Sequence, residues 1–218
     1  LLLIRTALVA AGIFMAVGGH SFVSASAAKR QLPIYSVERE EKVCAISFDA
    51  AWGNEDTQAL IDILGKYNVK ATFFVVGDWV DKYPESVKAL HDAGHEVMNH
   101  SLHHDHYNAL TADQVVADVT ACNEKIAAIT GVTPCLIRCP YGEYDDHVIS
   151  AIRSTGMEPI QWDVDSLDWK DYDADTICQR VTSTLSPGSI VLFHNAALHT
   201  PEALPAILDH MAREGYSL

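Results

Sequence analysis

From residue 43 onward, short apolar runs alternate with longer segments whose apolar positions recur every three or four residues. "VCAISFD" precedes "TQALIDILGKY", "ATFFVV" precedes "YPESVKALHDAG", and "HEVM" precedes "TADQVVADVTACNEKIAAIT". The pattern continues with "CLIR" and "DDHVISAIRSTG", "PIQWDV" and "DADTICQRVTSTL", then "SIVLFH" and "PEALPAILDHMAREG". Short runs read as strands and periodic ones as amphipathic helices. Strand–helix alternation requires right-handed crossovers and a parallel sheet, open or closed into a barrel. Thr57, Thr111 and Asp173 stand where helix N-caps belong, and Gly94, Gly156 and Gly215 just past helix ends. The closing "GYSL" reads as the first residues of a further strand.

Composition narrows this picture. With 218 residues, 49% of them hydrophobic, the chain can build one sizeable core, and a single domain of roughly 180 to 200 residues is expected. Fifteen basic against 29 acidic residues give a formal charge of -14. A phosphate backbone or anionic lipid surface would repel most of such a molecule, so nucleic acid is excluded as a partner. A monomer is expected.

The first 28 residues break the alternation. Arg5 is followed by "ALVAAGIFMAVGG" and then by Ala25-Ser26-Ala27, small residues at cleavage-type spacing. Residues 1–28 therefore read as a secretory signal peptide or an uncleaved N-terminal membrane anchor. Residues 29–42 read as a linker or N-terminal extension, and 43–218 as the domain. Either reading exports the protein, and an anchor would tether it to the outer face of the cytoplasmic membrane. Five cysteines without a CxxC pair indicate neither a zinc knuckle nor a disulfide framework, and most are expected to be buried apolar side chains.

Reactive side chains gather where the predicted strands end: Asp49, then His100 and His104, Arg138, Asp165 and Asp168, and His194. In parallel α/β folds loops converge at the C-terminal edge of the sheet, so residues distant in sequence become neighbours there. In "HSLHHDHY", His100 and His104 are expected one helical turn apart, offering two imidazoles to one metal. His103 and His106 are the alternative partners in that cluster. Neutral imidazole favours zinc, cobalt or nickel over calcium or magnesium.

"SFDAAWG", "NHSLHH", "RCPYG", "WDVDSLDW" and "IVLFHN", in that order over residues 43–218, resemble the five motifs of the polysaccharide deacetylase family, the NodB-homology domain of carbohydrate esterase family four. The resemblance implies a distorted (β/α) barrel of about seven strands, with the site at the C-terminal strand ends. It also implies metal-dependent removal of acetyl groups from an N-acetylated sugar polymer such as peptidoglycan or N-acetylglucosamine oligomers. On that resemblance Asp49 is the general base and His194 the general acid, and Arg138 orients Asp49. Asp165 hydrogen-bonds the His194 imidazole. His100 and His104 hold one divalent metal ion, zinc first, cobalt or nickel next. The backbone N–H of Tyr141 supports the oxyanion, while Trp169 and Leu192 line the pocket for the acetyl methyl.

One position departs from the pattern. Family members commonly carry two adjacent acids at the first strand end, the second a metal ligand, and here the second is Ala50. Asp56, with Glu55 next, is the nearest acid on the same loop and is the candidate substitute ligand; the alternative is that Asn54, Glu55 and Asp56 cap the following helix. Ala50 is also the feature in favour of the alternative, a carbohydrate-binding pseudoenzyme without turnover, while the intact Asp49, Arg138, Asp165 and His194 count against it. A small-molecule amidase would share the chemistry and differ in having a closed pocket.

Overall fold

The computed structural model describes residues 30–218; the segment expected to be a signal or anchor lies outside the described residues. Seven strands form one parallel sheet: β1 (Ala45–Ala50), β2 (Thr72–Val75), β3 (Glu96–Asn99), β4 (Leu136–Ile137), β5 (Glu158–Pro159), β6 (Val164–Asp165) and β7 (Ile190–His194). Their spatial order is β5-β4-β3-β2-β1-β7-β6. Helices α1 (Thr57–Lys66), α2 (Gly77–Lys82), α3 (Pro84–Asp92), α4 (Ala112–Thr130), α5 (Asp146–Ser154), α6 (Ala174–Thr184) and α7 (Thr200–Arg213) connect them. Among the described residues no helix is long and apolar enough to cross a membrane.

The sheet is curled into a distorted (β/α) half-barrel, and the chain itself demonstrates the curl. β5 and β6 are its opposite edges, yet only residues 160–163 connect them. From Pro159 to Val164 that link spans about 18 Å at most, less than the roughly 29 Å that six strand spacings of a flat sheet would need, so the two edges face each other. "PIQWDV", expected as one strand, is therefore split between both edges.

The extension that precedes the domain fills the seam. Ile34 pairs with Ile160, and Ser36 with Ser189. The Ile34 N–H donates to the Pro159 carbonyl, and the Val37 N–H to that of Gly188. Gly188 is required there: its φ is +84°, and a Cβ would meet the Val37 carbonyl oxygen at 1.7 Å. At the other terminus Ser217 bridges Val43, so "GYSL" does make a strand-like contact.

Strand alternation sorts the side chains. Phe48, Phe73 and Phe193 share one face, with Phe48 stacked on Phe73 at 4.7 Å and on Phe193 at 5.5 Å. They pack with Leu60, Val87, Ile126 and Leu204 from the surrounding helices, and Ala50 belongs to the same cluster. Ser47, Asp49, Phe74 and Leu192 alternate with these residues and take the opposite face, inside the curl. Helix punctuation follows expectation at most positions. Thr111 forms a reciprocal capping box with Gln114, and Asp173 caps α6. Gly94, Gly156 and Gly215 all have positive φ. Thr57 is instead the first residue of α1, and Asp56 stands at the cap position without a side-chain capping bond.

Candidate active site

β1 and β7 are hydrogen-bonded neighbours, and in their register Asp49 stands opposite His194. Two apolar strands, each carrying a titratable residue at or next to its C-terminal end, thus place a carboxylate and an imidazole side by side. Both line a cavity of about 410 Å³, together with His100, His104, Tyr141 and Trp169. Asp165, Leu192 and Trp52 complete much of the wall.

Asp49 is only 5% exposed, and Arg138, fully buried, donates from Nη1 to its Oδ1 at 2.7 Å. Arg138 Nη2 donates to Ser47 Oγ and to the Gln161 carbonyl. The guanidinium carbon lies 4.3 Å from the centre of the Phe74 ring. This cage leaves the guanidinium one orientation. Burial pushes the Asp49 carboxyl up, but the charge and hydrogen bond of Arg138, with the charge of His194, outweigh it and hold the group below its ordinary value. Asp49 is thus a carboxylate at neutral pH.

His194 is set by Asp168. Its Nδ1 lies 2.8 Å from Asp168 Oδ1, and its backbone N–H donates to Asp168 Oδ2 at 2.8 Å. Thr200 Oγ1 donates to the same Oδ2. Burial works against a charged imidazole, but the Asp168 hydrogen bond and charge, with Asp49 behind them, raise its pKa above the ordinary histidine value. This corrects the assignment of the orienting role to Asp165, whose Oδ1 instead accepts the Leu167 N–H. Leu167 has φ 53° and begins a 3-10 turn over Asp168–Lys170. That left-handed residue turns the backbone so that Asp168 points inward and is fully buried.

The histidine cluster is a loop, not a helix. β3 ends at Asn99, and left-handed Ser101 (φ 73°) and His104 (φ 60°) prevent a helical turn. Asn99, buried, accepts the Ser101 N–H and donates to the Val119 carbonyl and Asn123. Ser101 Oγ accepts the His104 N–H, and Asp118 accepts the Leu102 N–H. The loop nonetheless brings the His100 and His104 rings to 5.0 Å between centres. His103 and His106 turn away to Asp78 and Glu143. His106 also stacks on Tyr141 at 4.1 Å.

Whether these residues fit a divalent metal is answered by His100. Its Nδ1 lies 2.8 Å from the Arg138 carbonyl and so carries the proton. Its Nε2 therefore presents a lone pair, 3.5 Å from Asp49 Oδ2. Two acceptors that close call for a cation between or beside them. Burial lowers the pKa of His100, and burial with the neighbouring His100 lowers His104 to about 4, so both rings are neutral donors. Two imidazoles thus fit a metal. A third protein ligand is missing: among the described residues no three His, Cys, Asp or Glu side chains form a metal-holding group.

Asp56 does not supply the missing ligand in this arrangement. Its Oδ2 accepts the Ala196 N–H at 2.8 Å, and its Oδ1 is buried without a partner among the described residues. Burial raises its pKa. It neither joins the histidines nor caps α1 with its side chain; it ties the loop after β1 to the loop after β7. Asn195 reinforces the tie, its Oδ1 accepting the Ala51 N–H and its Nδ2 donating to the Trp52 and Gly53 carbonyls. Asn195 was not anticipated from sequence, although it directly follows the histidine in "FHN".

Comparison with known proteins agrees with this geometry. A family model described as polysaccharide deacetylase matches residues 36–160, more than half of the chain. The chain belongs to the polysaccharide deacetylase family. It is 33% identical over 183 residues to the peptidoglycan-N-acetylmuramic acid deacetylase PdaC of Bacillus subtilis, covering 84% of this chain and 38% of that protein. It is 34% identical over 151 residues to a peptidoglycan-N-acetylglucosamine deacetylase of Bacillus cereus, covering 69% and 55%. The chain thus spans about two fifths to just over half of these two relatives. Among solved structures, BA3943 of Bacillus anthracis, described as a pseudoenzyme of carbohydrate esterase family four, superposes with a TM-score of 0.83 at 34% identity, over 85% of this chain and 66% of that one. A mutant of BA3943 is described as having restored enzymatic activity.

Proposed function

We propose that this family member hydrolyses the N-acetyl amide of an N-acetylated cell-wall glycan, outside the cytoplasmic membrane. The observation that carries the reading is the Asp49–His194 pair in register, with each residue held by its own buried partner. A divalent metal held by His100 and His104 would polarise the amide carbonyl and lower the pKa of water, with zinc the best match to neutral imidazoles and cobalt or nickel next.

The residues of the chain supply the rest. Asp49, held ionised by Arg138, accepts the proton of the attacking water. His194, protonated through Asp168, delivers a proton to the departing amine, which cannot leave as an anion. Trp169 and Leu192 form the apolar wall expected to meet the acetyl methyl, and Tyr141, which lines the same cavity, is the candidate whose backbone N–H would support the oxyanion. Asp49→Asn and His194→Ala should each lower acetate release by about 10² to 10⁴ while leaving the fold intact. Turnover near that of the unaltered protein in either variant contradicts the reading.

A second reading, glycan binding without turnover, is favoured by one observation: Ala50 is buried among apolar side chains and leaves the metal one protein ligand short. The likeness to BA3943 points the same way.

A further inference from the structure

The loop that carries His100 and His104 needs support from outside itself. Ser101 (φ 73°) and His104 (φ 60°) are both left-handed without being glycine, a conformation that persists only where the surrounding structure enforces it. Within the loop, Ser101 Oγ accepts the His104 N–H at 2.9 Å. At the start of α2, the N–H groups of Gly77 and Asp78 donate to the Ser101 and Leu102 carbonyls at 2.9 and 3.0 Å. Those bonds are made by backbone. From α4 the support is a side chain.

That side chain is Asp118, only 8% exposed. Its Oδ1 accepts the Leu102 N–H at 2.9 Å and the Tyr107 hydroxyl at 2.6 Å. Leu102 lies between the two left-handed residues and between the two histidines, and Tyr107 follows His104 by three residues. One carboxylate oxygen therefore joins the middle of the loop to its exit. The anchors of this clamp are fixed. Tyr107 is fully buried in an apolar cluster with Val115, Val119 and Ile137, and α4 starts in the Thr111–Gln114 capping box. Neither Asp118 nor Tyr107 lines the cavity that contains His100 and His104, so neither touches the reacting atoms. A buried carboxylate is costly to keep, and both of these hydrogen bonds go to the histidine segment.

A metal held by two imidazoles is sensitive to such a clamp. If only a fraction of the free protein presents both rings together, the apparent dissociation constant rises by the inverse of that fraction. We infer that Asp118, together with Tyr107, is a positioning residue for the metal pair: it holds residues 100–107 in the shape that presents His100 and His104 to one ion before the ion arrives. The inference rests on the reading that these two histidines hold the metal, and not on turnover.

Zinc titration of the full chain tests it, at a temperature below the thermal transition of each variant, so that lost stability alone leaves the affinity untouched. Asp118→Leu replaces the carboxylate by methyl groups and should weaken zinc binding about 10- to 100-fold. Asp118→Asn keeps an acceptor oxygen and should stay within about threefold of the unaltered protein. Tyr107→Phe removes the hydroxyl, leaves the ring in its cluster, and should weaken binding about three- to tenfold. Unchanged zinc affinity in Asp118→Leu, or in Tyr107→Phe where Asp118→Leu does not fold, overturns the inference alone. Asp118→Asn binding as weakly as Asp118→Leu overturns it too, because charge rather than position would then matter. No zinc binding by the unaltered protein, or binding unchanged by His104→Ala, overturns the metal reading and the inference with it.

Discussion

Asp168 and His194 form the closest acid–imidazole contact in the site: Nδ1 of His194 donates to Asp168 Oδ1 at 2.8 Å, while the Asp168 Oδ2 accepts the His194 backbone N–H. One fully buried carboxylate therefore fixes the tautomer, the ring and the backbone of the candidate general acid.

Asp168→Asn removes the charge and keeps the shape. The His194 pKa, raised in the folded protein, should fall toward or below its ordinary value. Since the protonated imidazole is the active form, activity should begin to decline at lower pH than in the unaltered protein, with maximal turnover reduced about 10- to 100-fold. An unchanged alkaline limb in the pH–rate profile would return the role to Asp165.

Asp56→Ala should leave the affinity of the protein for zinc unchanged, because the carboxylate engages Ala196 rather than the histidines. Stability should fall by roughly 0.5 to 1.5 kcal/mol through loss of that hydrogen bond. Zinc titration and thermal melting read the two effects separately. Weakened zinc binding would show that Asp56 is a ligand after all.

His95 sets a pH dependence away from the site. It is buried, edge-on to Phe73, and its Nδ1 accepts the Ala71 N–H at 3.2 Å. Burial, with Lys70 nearby, lowers its pKa to about 4. The unfolded chain binds the proton first, so this contribution to stability is full above about pH 6.5 and is lost as pH falls toward 4. The loss is on the order of 2 to 3 kcal/mol. His95→Gln should flatten this part of the stability–pH curve in chemical denaturation, and an unaltered slope would contradict the account.

Strand ends were the legible part of the sequence. An apolar run that stops at Asp49 or His194 must put that residue at the sheet edge, and period-2 alternation then selects its face. The strand–helix alternation likewise carried the parallel sheet and most helix boundaries. What stayed hidden depends on single left-handed residues and on closure. Leu167 decides between Asp165 and Asp168, and Ser101 with His104 turns an expected helical turn into a loop. β5 and β6 hold two residues each, too few for periodicity to show, and their separation to opposite edges follows from the curl of the whole sheet. Asp56 was drawn to the metal by proximity in sequence, whereas the Ala196 N–H that engages it comes from 140 residues further along.

Acetate release by the unaltered protein tests the central claim most directly. The chain is stripped of metal, reloaded with zinc, cobalt or nickel, and given an N-acetylated glycan oligomer. If His100 and His104 suffice to hold the metal beside an intact Asp49–His194 pair, acetate appears with at least one of these metals and not in the stripped protein. Binding of the oligomer without acetate at any metal would contradict the account and leave a sugar-binding protein without turnover.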